Sequence, residues 1–167
     1  KKELLKKAYA NFKKDRKGFE IEFEGYCSLN ADWLEDFALF MASKEYHGGG
    51  VFTIWEKDLI HRTKAAITKW KEILSDDILY HKFVQWQFYK QWIAVKEYAN
   101  SKGIKIIGDM PIFIAYDSAD LWAHKELFTV DKDGKLIFVA GVPPDYFSAT
   151  GQFWGNPLFR WKEMAKD

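Results

Sequence analysis

Asp109 and Asp145 are the carboxylates whose surroundings best suit chemistry on a ligand. Asp109 follows Gly108 at the end of the compact, largely apolar run Ile104–Ile107. Such a run predicts a strand buried on both faces, and α/β folds place binding and catalytic groups at the C-terminal ends of such strands. A carboxylate there must be paired or must face a cleft, because burying it bare is costly. Asp145 follows Pro143-Pro144 and precedes Tyr146 and Phe147; Gln152, Phe153, Trp154 and Asn156 come next, with Gly151 and Gly155 between them. Flat aromatic faces mixed with short hydrogen-bonding side chains suit a polyhydroxylated, uncharged ligand, and a sugar is the first expectation. Asp145 could also simply begin a turn. The aromatics could be core residues, but they lie outside any periodic segment, and an aromatic exposed on a loop needs a partner.

Other chemistries find less support. His47, His61, His81 and His124 lack metal-ligand spacing, and the single cysteine, Cys27, adds no second soft ligand, so no metal site is expected. Gly48-Gly49-Gly50 is not followed by Lys-Ser/Thr and reads as a turn rather than a phosphate loop. Asp131-Lys132-Asp133-Gly134 lacks the closing glutamate of a calcium loop and reads as a hairpin turn. Asp117 or Ser118 can cap a helix starting near Ala119, with Asp120 favouring its positive end.

The elements that must position these groups are mostly helical. Leu4, Leu5, Ala8 and Phe12 mark a helix over residues 1–15. Phe19, Ile21 and Phe23 alternate with glutamates, which fits a short edge strand or an extended connection. Asn30 is placed to cap a helix carrying Trp33, Leu34, Phe37, Phe40 and Met41. Residues 55–74 read as mostly helical, and Ser75 or Asp76 is expected to cap a long helix ending at Ser101. The apolar set of that helix is too broad for one stripe and predicts packing on two sides. Gly103 is a natural C-cap before the predicted strand. Thr129-Val130 and Leu136–Val139 read as a hairpin around Asp131–Lys135. The organisation expected is a helical subdomain and barrel helix over 1–101, then a barrel strand and substrate-binding loop region over 102–167.

Bulk properties set the boundaries. The 167 residues are 48% apolar and 18% aromatic, ample for a core, and the formal charge of +1 argues against a nucleic-acid partner. The basic start of the chain fits a solvated amphipathic helix face. One cysteine excludes an intrachain disulfide and fits a reducing compartment. No run approaches the roughly 18 apolar residues of a membrane span. A cytoplasmic protein without membrane partner or cofactor is expected.

The runs GDMPIFIAYDSADLW and AGVPPDYFSATGQFWGNPLFRW, with NADWLEDFALFMASKEY and YANSKGIKIIGD before them, strongly resemble glycoside hydrolase family 77, the 4-alpha-glucanotransferases. The resemblance covers nearly the whole chain. Phe113 and Phe159 depart from it, standing where family members commonly carry tyrosine, and the Gly48–Val51 region is looser. The resemblance implies an α/β fold, here a partial (β/α)8 barrel with a mainly helical inserted subdomain. It implies transfer of an α-1,4-glucan segment to the 4-hydroxyl of an acceptor sugar with retention, through two carboxyl groups about 5 Å apart. The family's nucleophile and acid/base follow the GNPLYRW-like motif, so they are expected beyond Asp167, and no catalytic residue is assigned within this chain. Carried over by position, Asp109 lies in the donor pocket. Asp145, Tyr146 and Phe147 belong to a mobile loop over the cleft, and Gln152, Trp154 and Asn156 continue its sugar-facing edge. The partner implied is an α-1,4-glucan or maltooligosaccharide. A fragment so read should be inactive alone, with its strand-and-loop region mobile or held by self-association. A non-catalytic carbohydrate-binding or helical interaction module and an α-glucan hydrolase remain the competing readings.

Overall fold

Helical periodicity governs the first hundred residues of the computed structural model, which describes residues 1–166. The helices are α1 (Lys2–Lys14), α2 (Glu20–Leu29), α3 (Ala31–Tyr46), α4 (Lys57–Ile60), α5 (Lys64–Ile73) and α6 (Ser75–Ser101), followed by the short α7 (Ala119–Ala123) and α8 (Trp161–Met164). Strands β1 (Val139–Val142) and β2 (Gln152–Pro157) pair antiparallel, the one sheet among the described residues. The chain folds as a mostly helical protein in two compact units. One holds Lys1–Ala42 and Lys71–Met110; the other holds Ser43–Trp70 and the residues from Pro111 onward. No helix among the described residues is long and apolar enough to cross a membrane.

The first unit is an aromatic core enclosed by α1, α2, the start of α3 and the first half of α6. Phe12 meets Phe23 edge-on at 5.1 Å, and Trp86 lies 5.5 Å from Phe23 and 5.7 Å from Phe12. Burying rings of this size supplies both a large hydrophobic contribution and edge-to-face attraction. Tyr9 carries a polar atom into this core and satisfies it by donating to Asp76 Oδ1 at 2.8 Å, while Lys13 holds the same carboxylate. At its far end α6 closes with a Schellman arrangement: Ile104 N–H donates to Ala99 O and Gly103 N–H to Asn100 O, with Gly103 at φ +75.

Several local expectations change. The segment around Phe19, Ile21 and Phe23 is helical, not a strand or extended connection. Phe23 and Tyr26, at i and i+3, form its buried side, and Ile21 is 91% exposed. Asn30 stands before α3, but its side chain does not cap a backbone N–H; it donates to Tyr26 O and accepts the Trp33 indole N–H. Ser75 and Asp76 lie inside α6 rather than capping it, and Asp76 is engaged by Tyr9. The second half of α6 is not packed on two sides: Phe88, Trp92 and Val95 are exposed.

The largest correction concerns Ile104–Ile107. These residues form no strand, and Ile107 is 93% exposed. A doubly buried strand exists only where neighbouring strands satisfy its backbone groups, and none of the described residues pairs with this one. The apolar run therefore signals surface without a partner among the described residues, and Asp109 does not sit at the end of a buried strand.

In the second unit, Phe52, Leu59, Leu121 and Trp122 are fully enclosed. The Trp122 indole donates to Leu59 O at 3.0 Å, and Ser118 Oγ accepts Leu121 N–H at the start of α7, the cap expected there. Asp117 accepts Phe52 N–H and pairs with Lys44. Lys125 donates to the carbonyls of Ile60 and Trp122, and burial holds its pKa below the usual lysine range. The Asp131–Lys135 turn forms as expected: Asp131 Oδ1 accepts the N–H groups of Asp133 and Lys135. Its flanks form a single bridge, Val130 with Leu136, with Ile137 N–H donating to Thr129 O, and the longer hairpin lies later in the chain, at β1 and β2.

Candidate functional site

The β1–β2 hairpin encloses residues 143–151, and its loop is built from its own polar atoms. Pro143 and Pro144 restrict the backbone on entry. Asp145 Oδ1 accepts Phe147 N–H at 2.9 Å and Ser148 N–H at 2.8 Å, an Asx-type turn. Asp145 N–H and Gly151 N–H both donate to Ser148 O, and Ser148 Oγ donates to Gly151 O at 2.7 Å. Gly151 has φ +73, and a Cβ there would lie 2.5 Å from Val142 O, so this exit from the loop requires glycine.

The loop projects its aromatic side chains outward. Tyr146 and Phe147 are 97% and 89% exposed, and their rings stand at 88° to each other. Along β2, Phe153 and Trp154 are also exposed large rings. Gly155 interrupts the ladder at φ +76, where the register shifts between the two strands.

Trp154 is held in place from two sides. Its Nε1–H donates to Gln152 Oε1 at 2.9 Å, and Phe113 meets its ring edge-on at 5.9 Å. Phe113 stacks on Phe159, which packs against Phe128, a buried residue. Asn156 Nδ2 donates to Ile114 O at 2.9 Å and ties β2 to the segment carrying Phe113. Thr129 N–H to Leu158 O and Arg160 N–H to Leu127 O, both 2.8 Å, fasten the end of the hairpin to the residues after α7.

Of the residues singled out in the sequence, the fold gathers Asp145, Tyr146, Phe147, Gln152, Trp154 and Asn156 on one hairpin. Asp109 belongs to the other compact unit; it is exposed, and its Oδ1 accepts the N–H of its neighbour Met110. Asn156 is engaged in holding backbone. Phe113 and Ser148 were not among the candidate residues. A signal for Ser148 lay in the spacing Asp145-x-x-Ser148-x-x-Gly151, the pattern of consecutive side-chain-closed turns; Phe113 carried no local signal. A separate cavity of about 600 Å³ opens between α2 and α6 in the first unit, with Ile21, Leu29 and Ile93 among its walls. Its lining is predominantly aliphatic and aromatic, whereas the hairpin combines exposed rings with amides.

The arrangement on the hairpin offers ring faces, the side-chain amide of Gln152 and a backbone loop fixed by its own hydrogen bonds. It can hold a neutral polyhydroxylated ligand by stacking and hydrogen bonding. It does not bring two carboxylates together as an acid/base pair, since Asp145 is the sole carboxylate within residues 143–157.

Comparison with known proteins gives concordant results. The family model described as 4-alpha-glucanotransferase matches residues 1–167. A 4-alpha-glucanotransferase of Thermus thermophilus is 48% identical over 164 residues, 98% of this chain and 33% of its own length. One from a Synechocystis species is 46% identical over 166 residues, again 98% of this chain and 33% of the relative. The solved amylomaltase from Streptococcus agalactiae in complex with acarbose superposes with a TM-score of 0.91 at 42% identity, covering 98% of this chain and 33% of that one. The chain thus spans about a third of the length of the relatives it matches.

Proposed function

The chain belongs to the 4-alpha-glucanotransferase family, glycoside hydrolase family 77, and we propose that it supplies glucan-binding surface to a transferase of that class. The observation that carries this reading is the β1–β2 hairpin, with outward-facing Tyr146, Phe147 and Trp154 beside the amide of Gln152. Acarbose, the ligand of the S. agalactiae amylomaltase, is an α-glucan analogue, which supports an α-1,4-glucan or maltooligosaccharide as partner. Asp145 and Asn156 complete the proposed hairpin site, as ligands or as supports of the surface, and Asp109, in the other compact unit, is proposed separately as a donor-pocket residue.

The proposed reaction moves an α-1,4-glucan segment onto the 4-hydroxyl of an acceptor sugar by retaining double displacement. A nucleophilic carboxylate and an acid that later serves as base are required, and these are assigned to the rest of the protein. The chain is read as part of a (β/α)8 barrel, a fold that needs roughly 250 residues. Within that enzyme the hairpin loop would exclude water from the glycosyl-enzyme and hold the acceptor hydroxyl, which favours transfer over hydrolysis. The lone Cys27 fits a reducing, cytoplasmic setting.

A chimera tests this reading. The 164 matched residues of the T. thermophilus enzyme are replaced by the corresponding part of this chain, and maltotriose is supplied as sole substrate. The expected products are glucose and a ladder of longer oligosaccharides, while the 167-residue chain alone gives none. A folded chimera without transfer, or one yielding only hydrolysis products, would overturn the proposal.

A further inference from the structure

We infer that Ser148 is a positioning residue: with Asp145 it closes residues 145–151 into a preformed clasp that presents Tyr146 and Phe147 to the saccharide. The inference rests on the proposed glucan-binding role of the hairpin and assigns a distinct part to each polar side chain in it.

The clasp is a closed hydrogen-bond circuit. Asp145 Oδ1 receives the amides of Phe147 and Ser148, and Ser148 O receives those of Asp145 and Gly151. Ser148 Oγ then reaches Gly151 O, so one side chain and one carbonyl of Ser148 join both ends of the loop. The consequence is geometric. Tyr146 and Phe147 are 97% and 89% exposed, so the loop backbone and the edge-on contact between the two rings fix their direction. A loop ordered before binding avoids the entropy cost of ordering it on the ligand, and that saving appears as affinity. Asp145 acts here through its acceptor oxygen rather than through its charge. An asparagine retains that acceptor; an alanine does not.

The test uses the ¹⁵N-labelled 167-residue chain. Amide hydrogen exchange at Asp145, Phe147, Ser148 and Gly151 is measured without ligand, and maltoheptaose is then titrated. The clasp predicts these amides to exchange about tenfold or more slowly than Tyr146 and Ala149 in the same loop. Ser148→Ala and Asp145→Ala should remove that protection and weaken maltoheptaose binding about two- to tenfold. Ser148→Thr and Asp145→Asn should restore both. Unprotected amides in the wild-type chain would overturn the clasp whatever the sugar does. Protection lost in Ser148→Ala with affinity unchanged would overturn the positioning role. Failure of Asp145→Asn to restore binding would show that the carboxylate charge itself meets the ligand, contrary to the inference. Protected amides in a chain that gives no response to maltoheptaose would overturn the glucan-binding reading and the positioning role with it, leaving the clasp as a feature of the fold alone.

Discussion

Gln152 Oε1 accepts the indole N–H of Trp154 at 2.9 Å, so two residues at i, i+2 on one face of β2 hold each other. The amide therefore helps set the plane of the ring as well as offering its own NH₂ group to a ligand. Phe113 approaches the same ring edge-on, and the pair forms a braced platform at the surface. Trp154→Ala should weaken maltooligosaccharide binding by about 1–2 kcal/mol, roughly five- to thirtyfold, in the range of a central aromatic anchor. Calorimetric titration checks the affinity. Circular dichroism should be unchanged, because the Trp154 ring is exposed and contributes little to the core.

Phe113→Ala should weaken the same binding about two- to tenfold by releasing the edge-on contact that braces Trp154. Phe113→Tyr keeps the ring and should bind like the parent chain. Comparing the two by titration separates support of Trp154 from loss of packing.

Gly151→Ala should disrupt the hairpin. The residue sits at φ +73 and its new methyl would meet Val142 O at 2.5 Å, so backbone strain and a steric clash act together. A loss of about 1–3 kcal/mol is expected, read as a lowered thermal midpoint of the second unit and as loss of the β1–β2 cross-strand contacts by NMR.

How much of this was legible in advance depends on where each residue finds its partner. Most helices were readable because their partners repeat along the same segment, as Phe12 and Trp86 do with neighbours at helical spacing; α2 was not, because Phe19, Ile21 and Phe23 alternate with glutamates as a strand would. The Ser118 cap was readable because the motif is complete within four residues. Ile104–Ile107 misled because a buried strand is defined by its neighbours, which the described residues do not provide. The aromatic loop was found by composition, since rings beside amides outside any period mark a surface. Phe113 was missed because its link to Trp154 spans forty residues of intervening chain and leaves no local pattern.

The first unit should lose stability in acid through Glu35. Burial tends to raise the pKa of Glu35, but the hydrogen bond and charge of Lys82, with Lys71 at 3.5 Å, outweigh it and hold the carboxyl below its ordinary 4.5. A folded-state pKa below the unfolded one gives stability that is fully present above about pH 4.5 and is lost as pH falls through the folded value. Glu35 is more than a third exposed, so solvent screening keeps this contribution small. Glu35→Gln should be less stable than the parent at pH 7 and converge on it in strong acid. Denaturant unfolding at pH 7 and pH 3 checks the sign.

In the proposed role the β1–β2 hairpin binds an α-1,4-glucan. Titration of the ¹⁵N-labelled chain with maltoheptaose, followed residue by residue, tests it most directly. Saturable shifts are expected at Tyr146, Phe147 and Gln152 and at the indole N–H of Trp154, with Trp154→Ala diminishing all of them. A chain that shows no shifts, or shifts confined to the cavity between α2 and α6 at residues such as Leu29 and Ile93, would contradict it.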